Sequence, residues 1–320
     1  MNTTTLKKSF GTQAKCIAYL EKLRWGKTYG CVHCGATNVA KRVNSIKWHC
    51  NSCNQDYTVL YGTIFEDTQL PLPLWFEVAN LMINAKMGMS AVEVSENVGI
   101  SYRTSWYCCH RIRCAMITNE IRLEGIVEFD EAYIGGKKRK RNPSDYNRAN
   151  LARVSEKRGR GTAKIPIVAA IEKQGRAYVK IVEKLTSRNL LAMLKKVIKT
   201  EDSIVVSDDF KSYKSFDSVV EHITIKHKDG YGSGIRTVNT AEGFFSLIKN
   251  GIKGSYRSLS KKYLPFYLAE FSYKFNKRNL RANALEELLE NAVKDEKCFL
   301  YHKPTKDTKE IAYGSKKCKI

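Results

Sequence analysis

No stretch of this chain reaches the roughly 18 consecutive apolar residues that a membrane-spanning helix requires. Its first residues also lack the apolar core of a signal peptide, so neither a membrane protein nor a secreted one is expected. Acid is scarce as well: 32 Asp plus Glu stand against 55 Lys plus Arg, a net charge of +23. Such an imbalance favours a polyanionic partner, because each neutralised phosphate releases condensed counterions. Nucleic acid fits that charge better than a membrane surface does. What is present is enough for a folded protein, since 320 residues at 43 % apolar content allow two or three domains with real cores.

Ten cysteines are scattered in a way that does not resemble a secreted disulfide framework, and a reducing cytoplasm is expected. Four of them form two Cys-x2-Cys pairs, Cys31 with Cys34 and Cys50 with Cys53, separated by 15 residues. A two-residue gap lets one tight turn present both sulfurs to a tetrahedral ion, and the spacer accommodates a strand out and a strand back. That pattern predicts a structural zinc ribbon. No βαβ pattern surrounds it, which argues against a redox dithiol. His33 and His49 lie beside the knuckles but are surplus to a site already filled by four thiolates. Cys108, Cys109 and Cys114 fall on a helical pattern and read as core fillers.

The apolar spacing over residues 13–24 predicts a helix leading into the ribbon of residues 28–60. A further helix is expected over 74–87. Ser90 with Glu93 three positions on forms a capping box, Gly99 turns the chain, and Ser101 caps another helix running to about residue 116. Short helix, glycine turn and basic helix suggest a helix-turn-helix, with Arg103, Arg111 and Arg113 as DNA-contacting residues. A plain helical hairpin would carry the same caps.

After residue 125 the texture turns to short β-branched runs at 126–134, 165–171, 177–182, 204–207 and 222–225. Helical patterns follow at 187–199, 239–250 and 262–277. This order suggests an α/β, RNase H-like mixed sheet. Between the first two strands, residues 137–161 hold ten basic and two acidic residues, among them Lys137, Lys138, Arg139, Lys140 and Arg141, suited to lie along phosphates. The expected division is therefore 1–65 for the leading helix and ribbon, 66–120 for the helix-turn-helix, 121–298 for the α/β domain and 299–320 for a basic tail.

Three carboxylates fall where that order would gather them. Asp130 lies inside the first strand and alternates with Phe129 and Glu131. Asp208 and Asp209 follow the strand 204–206 at its carboxyl end, where open α/β sheets place their sites. Glu242 opens a later helix. Hard oxygen ligands from three separated elements suit Mg²⁺ or Mn²⁺, and a pair of such ions can activate one oxygen while stabilising another. Taken singly, each carboxylate is equally at home as a turn residue or on a solvated face, and Asp209 and Glu131 read that way.

Several motifs then occur in order: Tyr-Leu-Glu-Lys-Leu-Arg-Trp, Cys-Val-His-Cys-Gly, Tyr-Gly-Thr-Ile-Phe-Glu and Ile-Ser-Tyr-Arg-Thr-Ser-Trp. They continue with Val-Glu-Phe-Asp-Glu-Ala-Tyr-Ile-Gly-Gly-Lys, Ser-Asp-Asp-Phe-Lys-Ser-Tyr, Val-Asn-Thr-Ala-Glu-Gly-Phe-Phe-Ser-Leu-Ile-Lys and Phe-Asn-Lys-Arg. Through them the chain resembles the bacterial insertion-sequence transposases with an N-terminal zinc ribbon and a DDE catalytic domain, relatives of Merlin-type transposons. The resemblance implies binding of terminal inverted repeats and target DNA, Mg²⁺-dependent strand cleavage and strand transfer, a homodimer or larger assembly on DNA, and a bacterial, nucleoid-associated location. It matches Asp130 and Asp208 to the family aspartates. For the third ligand it offers Glu242, with Asn239 as an alternative, and it assigns Lys249 to DNA. Two departures stand out: Gly26 where relatives tend to carry proline, and Asp209 where they tend to carry glycine. The rival expectation is a domesticated, non-catalytic zinc-ribbon regulator that kept the scaffold.

Overall fold

A computed structural model describes residues 1–117, 121–135, 164–225, 237–280 and 283–294. The chain divides into two compact units. The first holds Met1–Asn119 and takes back Gly254–Tyr256 and the chain from residue 262 onward. The second holds Glu120–Lys253 and Arg257–Lys261.

In the first unit, α1 (Thr3–Phe10) and α2 (Gln13–Trp25) are each opened by a side-chain cap. Asn2 accepts from the Thr5 amide at 2.7 Å and Thr12 from the Lys15 amide at 3.3 Å. A three-stranded antiparallel sheet follows, with β1 (Val39–Lys41), β2 (Lys47–Cys50) and β3 (Gln55–Thr58) in that order. Helix α3 (Leu72–Asn84) starts behind Pro71, with Pro73 in its first turn where a missing amide hydrogen costs nothing. Helix α4 (Ala91–Val98) carries the full capping box between Ser90 and Glu93, and α5 (Tyr102–Ala115) begins at its Ser101 cap. Between them Gly99 adopts φ +72°, a left-handed turn that glycine makes at little cost. The two capped helices and the glycine turn expected of this segment are therefore in place.

The second unit is a five-stranded sheet in the order β6-β5-β4-β7-β8, built from β4 (Leu123–Ile134), β5 (Ile165–Glu172), β6 (Ala177–Ile181), β7 (Ile198–Asp208) and β8 (Glu221–Ile225). The first three strands are antiparallel neighbours, while β7 and β8 run parallel to β4. This is the expected RNase H-like mixed sheet. On one face, α6 (Ser187–Val197) and the 3-10 segment Lys211–Ser218 bury Leu190, Met193, Leu194, Tyr213 and Phe216 against Val127, Phe129, Val168 and Val205. Helix α7 (Asn239–Gly251) packs on β4 and β5.

The chain then returns to the first unit through α8 (Leu264–Asn276) and α9 (Ala284–Lys294). Phe266, Tyr273, Leu285, Leu288 and Leu289 join Leu6, Phe10, Leu20, Trp75, Phe76 and Ile112 in one core. The sequence reading ran the α/β domain on to 298, whereas the contacts of 262–280 and 283–294 lie with the N-terminal helices.

A buried carboxylate ties this unit together. Glu270 of α8 accepts from Arg113 Nε at 2.7 Å and Tyr256 Oη at 2.8 Å, and pairs with Lys274 Nζ at 2.5 Å. Burial alone would push its carboxyl up, but Lys274 and Arg113 overcome that and hold it down to about 2. A depressed carboxyl stabilises the fold above its unfolded value near 4.5 and loses that contribution as pH falls toward 2. Glu270→Gln leaves two buried cations without their counter-ion, so a loss of about 3–5 kcal/mol at pH 7 is expected. Calorimetry should show the variant and wild type converging between pH 4.5 and 2; equal stability at pH 7 would refute the assignment.

Candidate active site and metal centre

The ribbon sheet brings its four thiols to one point. Cys31 and Cys53 Sγ lie 3.6 Å apart, as do Cys34 and Cys50, and all four sulfurs fall within 4.8 Å of one another. A tetrahedron of thiolates around zinc at 2.3 Å has edges of about 3.8 Å, while a disulfide would need about 2.05 Å. The donor set therefore fits a zinc ion and does not fit disulfides. Backbone N–H groups reach the sulfurs: the amides of Cys53 and Ser52 hold the Cys50 thiol down to about 6, while burial pushes the Cys53 thiol up to about 12, and the His33 amide donates to Cys31 Sγ at 3.4 Å. Behind the site, Trp25, Tyr29, Trp48 and Tyr57 form an aromatic cluster. Buried Glu21 of α2 accepts from Trp48 Nε1 at 2.9 Å and from Lys41 Nζ at 3.0 Å, docking the helix on the ribbon. His49 is engaged by Asp56 at 2.7 Å and His33 packs on Tyr57 and Tyr61, so neither histidine turns to the thiols.

In the second unit, register and pleat place two of the three candidate carboxylates. Strands β4 and β7 pair Glu128 with Val206 and Phe129 with Ser207. The ladder ends there; Asp130 and Asp208 are the next residues of the two parallel strands, and by alternation both belong to the face opposite Phe129 and Val205. The third comes through Glu128, which shares that face and is fully buried. Val238, at the start of α7, offers no side-chain cap. Glu128 does the capping from β4, accepting from the Ala241 amide at 2.8 Å and Thr240 Oγ1 at 2.9 Å. Glu242 is the next residue.

The electrostatics of Asp130 register this gathering. Burial, joined by the charges of Glu131, Asp208 and Glu242, pushes its carboxyl up to about 7 against the pull of the Glu131 amide, which donates at 2.8 Å. Asp208 is partly buried and its Oδ1 accepts from the Phe210 amide at 3.2 Å. The charges of Asp208 and Glu242 reach Asp130; among the described residues, only the four cysteines place three or more ligand atoms within 4.8 Å. Hard carboxylate oxygens near one end of the sheet are a donor type that suits a divalent cation. Asn239 is exposed, three residues before Glu242 in α7. Glu131 turns to the other face and accepts from Tyr213 Oη at 2.9 Å, and Asp209 is exposed.

The basic candidates divide. Arg103 is exposed in the first turn of α5, and Lys249 is exposed on α7 seven residues after Glu242. Arg111 and Arg113 must be withdrawn as DNA contacts, being 1 % and 2 % exposed. Arg111 donates to the carbonyls of Glu66 (2.8 Å) and Thr63 (3.2 Å), and Arg113 serves Glu270 while lying 4.1 Å from the Tyr267 ring centre. Only the start of α5 is free to meet a groove, since Cys108–Ala115 is buried. Lys137, Lys138, Arg139, Lys140 and Arg141 lie outside the described residues. Glu128 was the residue the sequence reading passed over, although its alternation with Asp130 was the available signal.

Comparison with known proteins bears on this arrangement. Residues 122–276 match the family model of the ISXO2-like transposase domain, a DDE domain, and residues 11–56 match the transposase zinc-ribbon domain. The chain belongs to the zinc-ribbon DDE insertion-sequence transposases. It is 28 % identical over 300 residues to an uncharacterized protein in transposable element ISH50 of Halobacterium salinarum, covering 89 % of this chain and 99 % of that one. It also aligns with a chain of a pre-cleavage Mos1 transpososome crystal structure at 13 % identity, covering 71 % of this chain and 78 % of that one. The TM-score there is 0.26, at which the superposition carries no weight. A transposase acts on DNA, in keeping with the charge of +23, and none of the described helices is long and apolar enough to cross a membrane.

For the ribbon, Cys50→Ser or stripping with a chelator is expected to release the bound ion and unfold β1–β3. Metal content measured alongside circular dichroism checks this; an unchanged unfolding curve in metal-free protein would show the sulfurs to be ordinary core.

Proposed function

We propose that this transposase binds the terminal inverted repeats of its insertion sequence and uses Mg²⁺ or Mn²⁺ to cut and rejoin DNA strands. Asp130 and Asp208 hold the cation, with Glu242 as third ligand; Asn239 is the alternative in the same turn of helix. What supports this reading is that Asp130 and Asp208 each follow the last paired residues of adjacent parallel strands, and that Asp208 and Glu242 lie close enough for their charges to act on Asp130. An ion bound there supplies Lewis-acid polarisation of the phosphodiester and a nucleophilic oxygen from water or a 3′-hydroxyl. The chain supplies the rest. The Glu131 amide orients Asp130, the Phe210 amide orients Asp208, and Glu128 fixes the start of α7. Lys249 offers a cation to the phosphates of the bound strand.

In this reading the ribbon carries zinc, and it works with the α4–α5 helix-turn-helix to engage the repeat, with Arg103 at the exposed tip of the recognition helix. The domain limits follow the expected roles: ribbon to about 65, helix-turn-helix to about 120, then the DDE domain. Bringing two transposon ends together calls for a homodimer or larger assembly, and the protein works in the bacterial cytoplasm on the nucleoid.

Two experiments test this. Asp130→Ala and Asp208→Ala are expected to lower metal-dependent cleavage of a terminal-repeat duplex by at least about 10³-fold while repeat binding in a gel-shift assay stays within about twofold. Undiminished joining by either variant would refute the ligand assignment, and intact binding without any cleavage by wild type would favour the domesticated regulator. Arg103→Ala should weaken repeat binding by about 1–3 kcal/mol without altering Tm. Arg111→Ala should instead lower stability by about 1–3 kcal/mol, through the carbonyls it leaves unsatisfied; the reverse pattern would restore Arg111 as a DNA contact.

A further inference from the structure

Behind the strand that carries Asp208, three polar side chains stand in line. Ser207 Oγ lies 2.9 Å from His222 Nε2, and His222 Nδ1 lies 2.6 Å from Asp217 Oδ1. Ser207 is 0 % exposed and by alternation faces away from the Asp208 carboxylate. His222 sits on β8 opposite Val205, its side chain 1 % exposed and its ring 5.5 Å from that of Phe216. Asp217 closes the line from the 3-10 segment, at the surface.

The order serine, histidine, aspartate matches that of a hydrolytic nucleophile with its base and orienting acid. That role is closed to Ser207, because a hydroxyl sealed inside the sheet cannot meet a substrate atom. Its other contact gives the line a different use. Ser207 Oγ also donates to the backbone carbonyl of Asp208 at 3.0 Å. The ladder between β4 and β7 ends at Ser207, so this hydroxyl grips the peptide just where strand pairing with β4 stops. From the other side, the Phe210 amide bonds the Asp208 carboxylate. Asp208 is thus held by its carbonyl from behind and by its carboxylate from in front.

We propose that Asp217, His222 and Ser207 form a positioning relay that fixes the backbone of Asp208, and so sets how tightly the Asp130–Asp208 pair holds a divalent cation. This rests on the metal-binding role given above to Asp208. The three relay residues touch neither cation nor DNA; they act through the peptide of Asp208. Partners behind a ligand commonly change metal affinity by 10–100-fold when removed, although they contribute no ligand atom.

The test is direct Mn²⁺ binding to the full-length, zinc-loaded protein, read by the electron paramagnetic resonance signal of free aquated Mn²⁺. His222→Ala and Ser207→Ala should each weaken Mn²⁺ binding by about tenfold. The Mn²⁺ concentration for half-maximal cleavage of a repeat end should rise by the same factor, with most of the rate recovered at saturating Mn²⁺. His222→Gln, whose amide nitrogen can stand in for Nε2, should stay within about twofold of wild type. Ser207→Ala removes a single oxygen and keeps the test alive should His222→Ala fail to fold. Wild-type Mn²⁺ affinity in folded His222→Ala or Ser207→Ala, beside lost affinity in Asp130→Ala, overturns the relay alone. Weakened binding that His222→Gln fails to restore also overturns it. Mn²⁺ binding unchanged in Asp130→Ala overturns the carboxylate reading, and the relay with it.

Discussion

The Glu128 carboxylate is cut off from water inside the second unit and survives there because the Ala241 amide and the Thr240 hydroxyl both donate to it. A buried carboxylate without such partners would cost several kcal/mol. A helix start without a cap would leave amides unsatisfied. Each half of the contact answers the other's deficit, which fixes α7 on β4 at one register. Glu242 is the residue after Ala241, exposed and close enough for its charge to push the Asp130 carboxyl up, so the contact that satisfies the helix also holds the first turn that carries Glu242 against β4. Remove that anchor and α7 keeps its apolar packing on the sheet, but its first turn loses the hydrogen bonds that set it against the strand of Asp130.

The sequence was informative wherever a local rule fixes geometry. Ser90 with Glu93, Gly99 and Ser101 marked helix starts and a turn that the structure reproduces, because capping and left-handed turns are decided within a few residues. The two Cys-x2-Cys pairs met at one point for the same reason. The succession of strands along the chain was legible from the β-branched runs, and pleat alternation put Asp130 on the face opposite Phe129 and Glu131. Helix α1, with only Leu6 and Phe10 buried, left too faint a period to be read. Helix α9 also went unread, although Leu285, Leu288, Leu289 and Val293 are spaced for one face. The helical period of α8 was plain, but period says that a helix has an apolar face and not which core that face joins.

The arginines of α5 show where residue type misleads. A basic helix after a glycine turn invites the reading that its charges meet phosphate. Yet Arg111 spends its guanidinium on the Glu66 and Thr63 carbonyls, and Arg113 answers Glu270 between the rings of Tyr267 and Tyr256. Guanidinium suits such work: it is planar, permanently charged and able to stack. Burial requires partners, and the partners of Arg113 sit 157 residues away in the chain, beyond any motif's reach. The DNA-facing role proposed for α5 is then confined to its first turn, the end by which recognition helices meet base edges.

The same limit of local reading applies to the line from Asp217 to Ser207. His222 lies 15 residues after Ser207, and nothing in the spacing says that two parallel strands will lay one beside the other. Serine next to the second aspartate reads, from sequence, as a small strand residue. Only the pairing of β7 with β8 turns it into a hydroxyl held between an imidazole and the Asp208 carbonyl. The candidate site thus has two layers of different legibility. Carboxylates are visible in sequence because their chemistry is peculiar to their residue type. The groups that aim them, Glu128 on one face and Ser207 with His222 on the other, are commonplace residues whose work exists only once the sheet has formed.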